Sequence, residues 1–222
     1  LAGGRAARAR LEAALAGRAD VEIREVSCLG RCDAAPAAAL GHRALALERT
    51  QEVLAAIERG EREPEARPVR RWGEAEVYTR PEERWGALRS ALAGERAALA
   101  QTLSESGLRG MGGAGFPTGK KWALVAGESA TPKVVICNAD ESEPGTFKDR
   151  EILHDLPHLV LEGMALAALC VGAERGVVFL RHEYEAERRA LDAAIRDARA
   201  AGALGRGIFG SAFRFDVELF VS

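Results

Sequence analysis

The stretch GLRGMGGAGFPTGKKW, Gly107 to Trp122, holds six glycines and two lysines in sixteen residues. Gly110, Gly112 and Gly115 satisfy G-x-G-x-x-G, the dinucleotide fingerprint whose glycines allow a tight turn and close approach of backbone to pyrophosphate. That fingerprint follows a buried strand and is followed, about 20 residues on, by an acid for the ribose. Here the loop follows LAQTLSES, which reads as a helix end, and Asp140 stands 25 residues past Gly115. The standard Rossmann reading therefore fails on context. A Walker loop fails as well, because Ala114 occupies its first glycine position and Lys121 its hydroxyl position. What remains is elementary: glycines expose backbone N–H groups, and a helix starting near Thr118 or Gly119 presents its positive end to an anion, with Lys120 or Lys121 beside it. An ordinary glycine-rich connection is the plain alternative.

Outward from this loop, Lys120–Ala126 reads as helix and KVVICN as a buried strand, followed by CNADESEPGTFKDR. Asn138, Asp140, Glu141, Ser142 and Glu143 thus crowd donors and acceptors at the carboxyl end of a strand, where open α/β sheets place ligands. Three carboxylates in four residues form either a solvated turn or a site for a ligand rich in hydroxyls or N–H groups. The spacing does not match an EF-hand loop. A helix over about Leu156–Val171, a strand GVVFLRH, a helix over Tyr184–Ala201 and a final strand FRFDVELFV complete an alternating order. Helical patterns at Pro81–Ala93 and Glu95–Ser104 come before the loop. The alternation predicts an α/β fold with a mostly parallel sheet.

The first 60 residues read separately. Arg5–Leu15 is a helix, VEIREVS a strand, AAALGHRALAL a hairpin about Gly41-His42, and Thr50 caps a helix ending at Gly60. The charged, proline-containing stretch EREPEARPVRR lies in a linker set at residues 61–76, so the expected domains are 1–60 and 77–222. The 31 basic and 33 acidic residues are dispersed, which argues against a nucleic-acid or membrane-surface binder. The longest apolar run, Leu156–Ala173, is broken by Pro157, His158, Glu162 and Gly163 and reads as a buried helix rather than a membrane span. Four cysteines in 222 residues do not make a disulfide framework, so a cytoplasmic location is expected. The start at Leu1 and the end within a strand lead us to expect a fragment cut at both ends.

Three segments, SGLRGMGGAGFPTGKKW, CNADESEPGTFKDR and LPHLVLEGM, together resemble the flavin-binding subunit of respiratory complex I and of soluble NAD-dependent formate dehydrogenases and hydrogenases. The resemblance runs from about Gly107 to the end. It implies a non-Rossmann FMN-binding α/β domain in which NADH gives a hydride to FMN and electrons leave singly through iron-sulphur clusters, the cofactor carrying the redox chemistry. It implies FMN contacts for Gly110, Gly112, Gly113 and Lys121, and ribityl or ring contacts for Asn138, Asp140 and Glu141. Phe116 and Glu143 fall on the NADH side, with Glu143 the candidate catalytic residue. Met111 stands where the family usually has arginine, and Leu124 where it has a second aromatic. The implied partners are NADH and the iron-sulphur subunits of a multi-subunit redox complex, with a peripheral place at the membrane face and no insertion into it. The family's [4Fe-4S] domain would lie beyond Ser222.

Cys28 and Cys32, in SCLGRCDAAP, form a C-x3-C pair, whereas an all-cysteine [2Fe-2S] centre needs four thiolates. CLGRCDAAP resembles the second ligand pair of the thioredoxin-like [2Fe-2S] protein that partners the flavin subunit, which implies a partial thioredoxin-like ferredoxin domain with its other pair upstream of Leu1 or lost. Cys137 and Cys170 read as packing thiols, and His42, His154, His158 and His182 show no ligand spacing. Two rival readings stay open here: a non-catalytic docking or assembly fragment of such a complex, and a phosphate-binding transferase using Gly110–Lys121.

Overall fold

The computed structural model describes residues 3–26, 28–63, 83–110 and 114–222. Most of the expected linker, and Met111, Gly112 and Gly113 of the glycine loop, lie outside the described residues.

The amino-terminal part consists of α1 (Gly4–Ala14), the strands β1 (Ala37–Leu40) and β2 (Arg43–Ala46), and α2 (Thr50–Arg59). The two strands pair antiparallel, from Ala37 opposite Ala46 to Leu40 opposite Arg43. Gly41 turns the hairpin at φ +60°, and a Cβ there would lie 3.0 Å from the Arg62 carbonyl oxygen, so only glycine fits. Ala7, Leu11, Leu15, Leu47 and Val53 form this part's own small core. Two expectations are corrected. Val21–Val26 form no strand, because β1 and β2 pair only with each other; Val21 and Ile23 instead rest, half-buried, on the small core. Thr50 is the first helical residue rather than the cap, and its hydroxyl donates to the Leu47 carbonyl at 3.4 Å.

The larger part runs α3 (Gly86–Ala93), α4 (Arg96–Glu105), α5 (Thr118–Gly127), β3 (Val134–Ala139), α6 (Lys148–Asp155), α7 (Pro157–Val171), β4 (Arg175–Leu180), α8 (Glu185–Ala200), β5 (Gly205–Arg206) and β6 (Arg214–Val221). The sheet has the order β3-β4-β6-β5. Its first three strands are parallel and the short β5 is antiparallel, so the predicted α/β architecture holds. Leu161, Ala165 and Ala168 of α7 are fully buried in one core with Val178, Leu180, Leu191, Phe215 and Val217. Pro157 starts α7, and Gly172 ends it at φ +79°. β3 corrects a further expectation: it is an edge strand with alternating exposure, Val134 and Ile136 facing outward, not a strand buried on both faces. α6, eight polar-rich residues for which the sequence pattern predicted no element, meets α7 at a 95° bend. No single described helix is long and apolar enough to cross a membrane.

α3 is seated on α7 by one buried carboxylate. Glu162 accepts the Trp85 amide at 3.1 Å and the Leu88 amide at 2.8 Å, taking over the role of an N-cap for a helix whose preceding residue, Trp85, sits at φ +68°. One turn earlier, His158 lies 3.1 Å from Arg84 Nη1, which can only donate, so the ring accepts as neutral imidazole. Burial, then the Arg84 charge, push its pKa down to about 4, the more distant Asp197 opposing. Between the ordinary value of 6.5 and about 4, the unfolded chain binds a proton that the folded chain refuses. Stability must therefore fall as pH drops through that window. Thermal melts should show a shallower decline between pH 6.5 and 4 for His158→Gln than for the parent; parallel slopes would refute this assignment.

Candidate functional site

The glycine loop closes as a clasp. The Gly110 amide donates to the Phe116 carbonyl and the Thr118 amide to the Leu108 carbonyl, both at 2.9 Å, while Arg109 Nη1 reaches the Gly115 carbonyl at 2.9 Å. Gly115 stands at φ +57°, the left-handed turn that lets the chain double back into α5. With the Thr118 amide taken, the donors this helix start can offer an anion are the amides of Gly119 and Lys120 and the exposed side chains of Lys120 and Lys121. Phe116 projects from the clasp 44% exposed, an aromatic face open to a planar ligand.

Beyond the carboxyl end of β3 the chain folds on its own polar side chains. Asn138 Oδ1 accepts the Asp140 amide at 3.1 Å, and Ser142 Oγ donates to Asp140 Oδ2 at 2.8 Å. Asn138, Asp140 and Glu143 are exposed. Glu141 is not: its side chain is fully buried. Oε1 accepts the Asp149 amide at 3.1 Å and lies 3.4 Å from Lys148 Nζ; Oε2 accepts the Arg150 amide at 3.3 Å and the Tyr184 hydroxyl at 3.1 Å. Burial raises the Glu141 pKa, but these four donors outweigh it and hold the group below the usual carboxylate range, ionised at neutral pH. Burial and the same carboxylate push the Tyr184 hydroxyl well up, so Tyr184 stays protonated and donates.

Arg181, just past β4, donates from Nη1 to the Glu141 carbonyl at 2.5 Å and from Nε and Nη2 to Glu183 at 3.2 and 3.0 Å. Its charge also acts on the Cys28 thiol and, after the Gly30 amide, the larger influence, lowers that thiol's pKa. Arg150 Nη1 reaches the Gly30 carbonyl at 3.2 Å. Sequence reasoning assigned Arg150, Arg181 and Tyr184 no role. Their signal was positional: β4 lies beside β3, so RHEY at its end had to arrive next to CNADE.

Among the described residues, Asn138, Asp140, Glu141 and the Cys28 loop are thus brought to one place, and Gly110 and Phe116 to the clasp, with Lys121 on the first turn of α5. Cys28 and Cys32 are both exposed. No group of three or more His, Cys, Asp or Glu side chains among the described residues could hold a metal, so the thiols present do not complete an all-cysteine cluster. Cys170 is buried and Cys137 half-buried in the main core, as expected of packing thiols, and burial pushes Cys137 up to about 11.

Comparison with known proteins identifies the larger part. An NADH-quinone oxidoreductase subunit of Rhizobium meliloti (strain 1021) is 49% identical over 135 residues, covering 60% of this chain and 32% of that protein. The NADP-reducing hydrogenase subunit HndC of Solidesulfovibrio fructosivorans is 51% identical over 117 residues, 53% of this chain and 24% of that protein. The chain thus spans about a third or less of these relatives. The crystal structure of an NAD+-reducing [NiFe]-hydrogenase in the H2-reduced state superposes with a TM-score of 0.73 at 30% identity, over 98% of this chain and 40% of that one. Residues 103–221, which include the clasp, the β3 loop and the parallel sheet, match the Complex1_51K family, and the chain accordingly belongs to the Nuo51 FMN-binding domain family.

Proposed function

We propose that the clasp and the Asn138–Glu143 loop hold FMN, and that the whole protein of which this sequence forms part is the flavin subunit of an NADH:acceptor oxidoreductase. The observation that carries this reading is the division of labour between the two loops. The start of α5, held by the clasp, offers N–H groups and two lysines, a donor set suited to a phosphate dianion. The β3 loop offers an exposed amide and carboxylate, suited to the hydroxyls of a ribityl chain. When bound, FMN would supply a ring that takes a hydride and releases electrons singly.

In this reading Lys121, with Gly112 and Gly113, binds phosphate, Gly110 closes the clasp with its amide spent on the Phe116 carbonyl and gives the phosphate no donor, and Asn138 and Asp140 orient the ribityl chain. Phe116 offers its face to the nicotinamide nucleotide, and Glu143 places a negative charge beside it. Glu141 supports the loop from behind. The Rhizobium relative named as NADH-quinone oxidoreductase and the Solidesulfovibrio relative named as NADP-reducing hydrogenase support a nicotinamide nucleotide as the electron carrier and a multi-subunit complex, and iron-sulphur partners belong to the same proposal. They do not favour a non-catalytic assembly fragment. A thioredoxin-like character for the amino-terminal part, a cytoplasmic location and attachment to a membrane face through partner subunits belong to the same proposal.

Titration of the apoprotein with FMN, followed by quenching of flavin fluorescence, tests the reading directly. FMN should bind, NADH should then bleach the flavin or drive ferricyanide reduction, and a nucleoside triphosphate should compete for nothing. Lys121→Met should weaken FMN by roughly 10- to 100-fold, the worth of one charge-assisted hydrogen bond, while riboflavin, which lacks the phosphate, should be unaffected. A colourless protein after reconstitution sinks the proposal for this chain.

A further inference from the structure

The amino-terminal and larger parts meet at Gly30, and the meeting is not a generic surface contact. Gly30 stands at φ +63° and donates its amide to Cys28 Sγ at 3.3 Å, which folds the cysteine loop over it. A Cβ on Gly30 would lie 3.0 Å from Tyr184 Cε1 and 3.6 Å from Arg181 Cζ, so the loop is pressed against those two side chains. Its carbonyl accepts Arg150 Nη1. Each of these three partners bonds Glu141: Tyr184 through its hydroxyl, Arg150 through its amide, and Arg181 through the Glu141 carbonyl. The cysteine loop therefore sits on the same set of groups that fixes the loop assigned to flavin.

We propose that Arg150 and Arg181 form a two-arginine bridge that locks the cysteine loop to the Asn138–Glu143 loop, with Arg181 a positioning residue for the flavin site. The functional part of this inference rests on the FMN reading; the mechanical part does not. Arg181 suits the role because it is buried, its side chain only 7% exposed, and its planar fork serves the Glu141 carbonyl and Glu183 at once while its face lies against Gly30. Gly30 and the Glu141 carbonyl, which it touches together, belong to segments more than 100 residues apart in sequence. A lysine could keep the charge but not the fork.

A bridge differs from a merely stabilising interface in being reciprocal: a change on the cysteine loop must be felt at the β3 loop, and the converse. Gly30→Val alters the cysteine loop alone in sequence and reaches the other loop only through Tyr184 and Arg181, on which its side chain would press. Amide hydrogen exchange in this variant should quicken at Asp149 and Arg150, whose amides bond Glu141, by roughly tenfold, a modest coupling by the usual scale. FMN affinity should fall by a similar factor. Gly30→Ala, which adds the Cβ alone, should act in the same direction and less, and serves where valine disturbs the whole fold. Arg181→Lys should quicken exchange at residues 28–32 and 140–150 together. Exchange altered only at residues 28–34, with residues 140–150 at parent rates, overturns the bridge. Failure of the parent to bind FMN removes the flavin reading but leaves the exchange result to decide the bridge by itself.

Discussion

Gly119→Ala should cost about 3 kcal/mol of folding stability, the upper part of the range for forcing atoms into a packed site, even though alanine is by itself about 1 kcal/mol the better helix former. The sign is set by what a Cβ would meet. It would fall 2.5 Å from the Ser104 amide nitrogen and 2.7 Å from the Ala100 carbonyl oxygen, both backbone atoms of α4, and 2.3 Å from Ser104 Oγ, which already bonds the Ala100 carbonyl. A side chain could rotate away; a backbone cannot. α4 and α5 would have to separate, and the clasp that joins them would open with them. For a chain of this size the melting temperature should fall by roughly 6–12 °C, and FMN binding should be lost by more than the fraction unfolded explains. Gly163→Ala is the internal control. Gly163 lies inside α7 where a Cβ meets nothing within 4 Å, so this variant should gain about 1 kcal/mol. Equal melting temperatures for the two variants would show that the α4–α5 approach is not what the glycine serves.

That contrast also explains how far the site could be read from sequence. The alternation of strands and helices after Lys133 was legible because hydrophobic period survives in a single chain, and β3, α7, β4, α8 and β6 stand where the pattern put them. The glycine loop was legible as something other than a Rossmann turn, since the helix before it, α4, announced itself in sequence. What the pattern could not carry was partnership. Val21–Val26 has the composition of a strand but no strand beside it among the described residues, and strand pairing is not written in the strand itself. KVVICN has the apolar run of a strand buried on both faces, yet it ends up at the sheet's edge. Gly119 reads in sequence as part of a phosphate loop, and its tightest duty is to let one helix lie on another. Glu141 reads as one of three equivalent carboxylates, and only the fold reveals that it turns inward while Asp140 and Glu143 remain outside.

Glu141→Gln should accordingly be the most damaging of the acidic-loop variants. The substitution preserves volume but places an amide NH2 where a carboxylate oxygen now accepts. One oxygen faces the Asp149 amide and Lys148, the other the Arg150 amide and the Tyr184 hydroxyl. Tyr184 can rotate its proton away and accept; the backbone amides cannot. Whichever way the glutamine turns, a backbone donor in a buried site meets another donor, and the loss should be about 3 kcal/mol at pH 7, the scale of a buried charged hydrogen bond removed from one side. The pH dependence gives a second and independent reading. A carboxylate whose folded pKa lies below its unfolded value, 4.5, contributes stability that is complete above that value and is lost as pH falls through the folded one. The gap in melting temperature between parent and Glu141→Gln should therefore be widest at neutral pH and close on acidification below about 4.5, as the parent loses what the variant never had. Asp140→Asn, whose side chain is partly exposed, bonds Ser142 within its own loop and lies 3.9 Å from Arg181 Nε, should melt within about 1 kcal/mol of the parent while still weakening FMN. If Asp140→Asn is the destabilised variant and Glu141→Gln the flavin-deficient but stable one, the roles of the two carboxylates are the reverse of those argued from the structure.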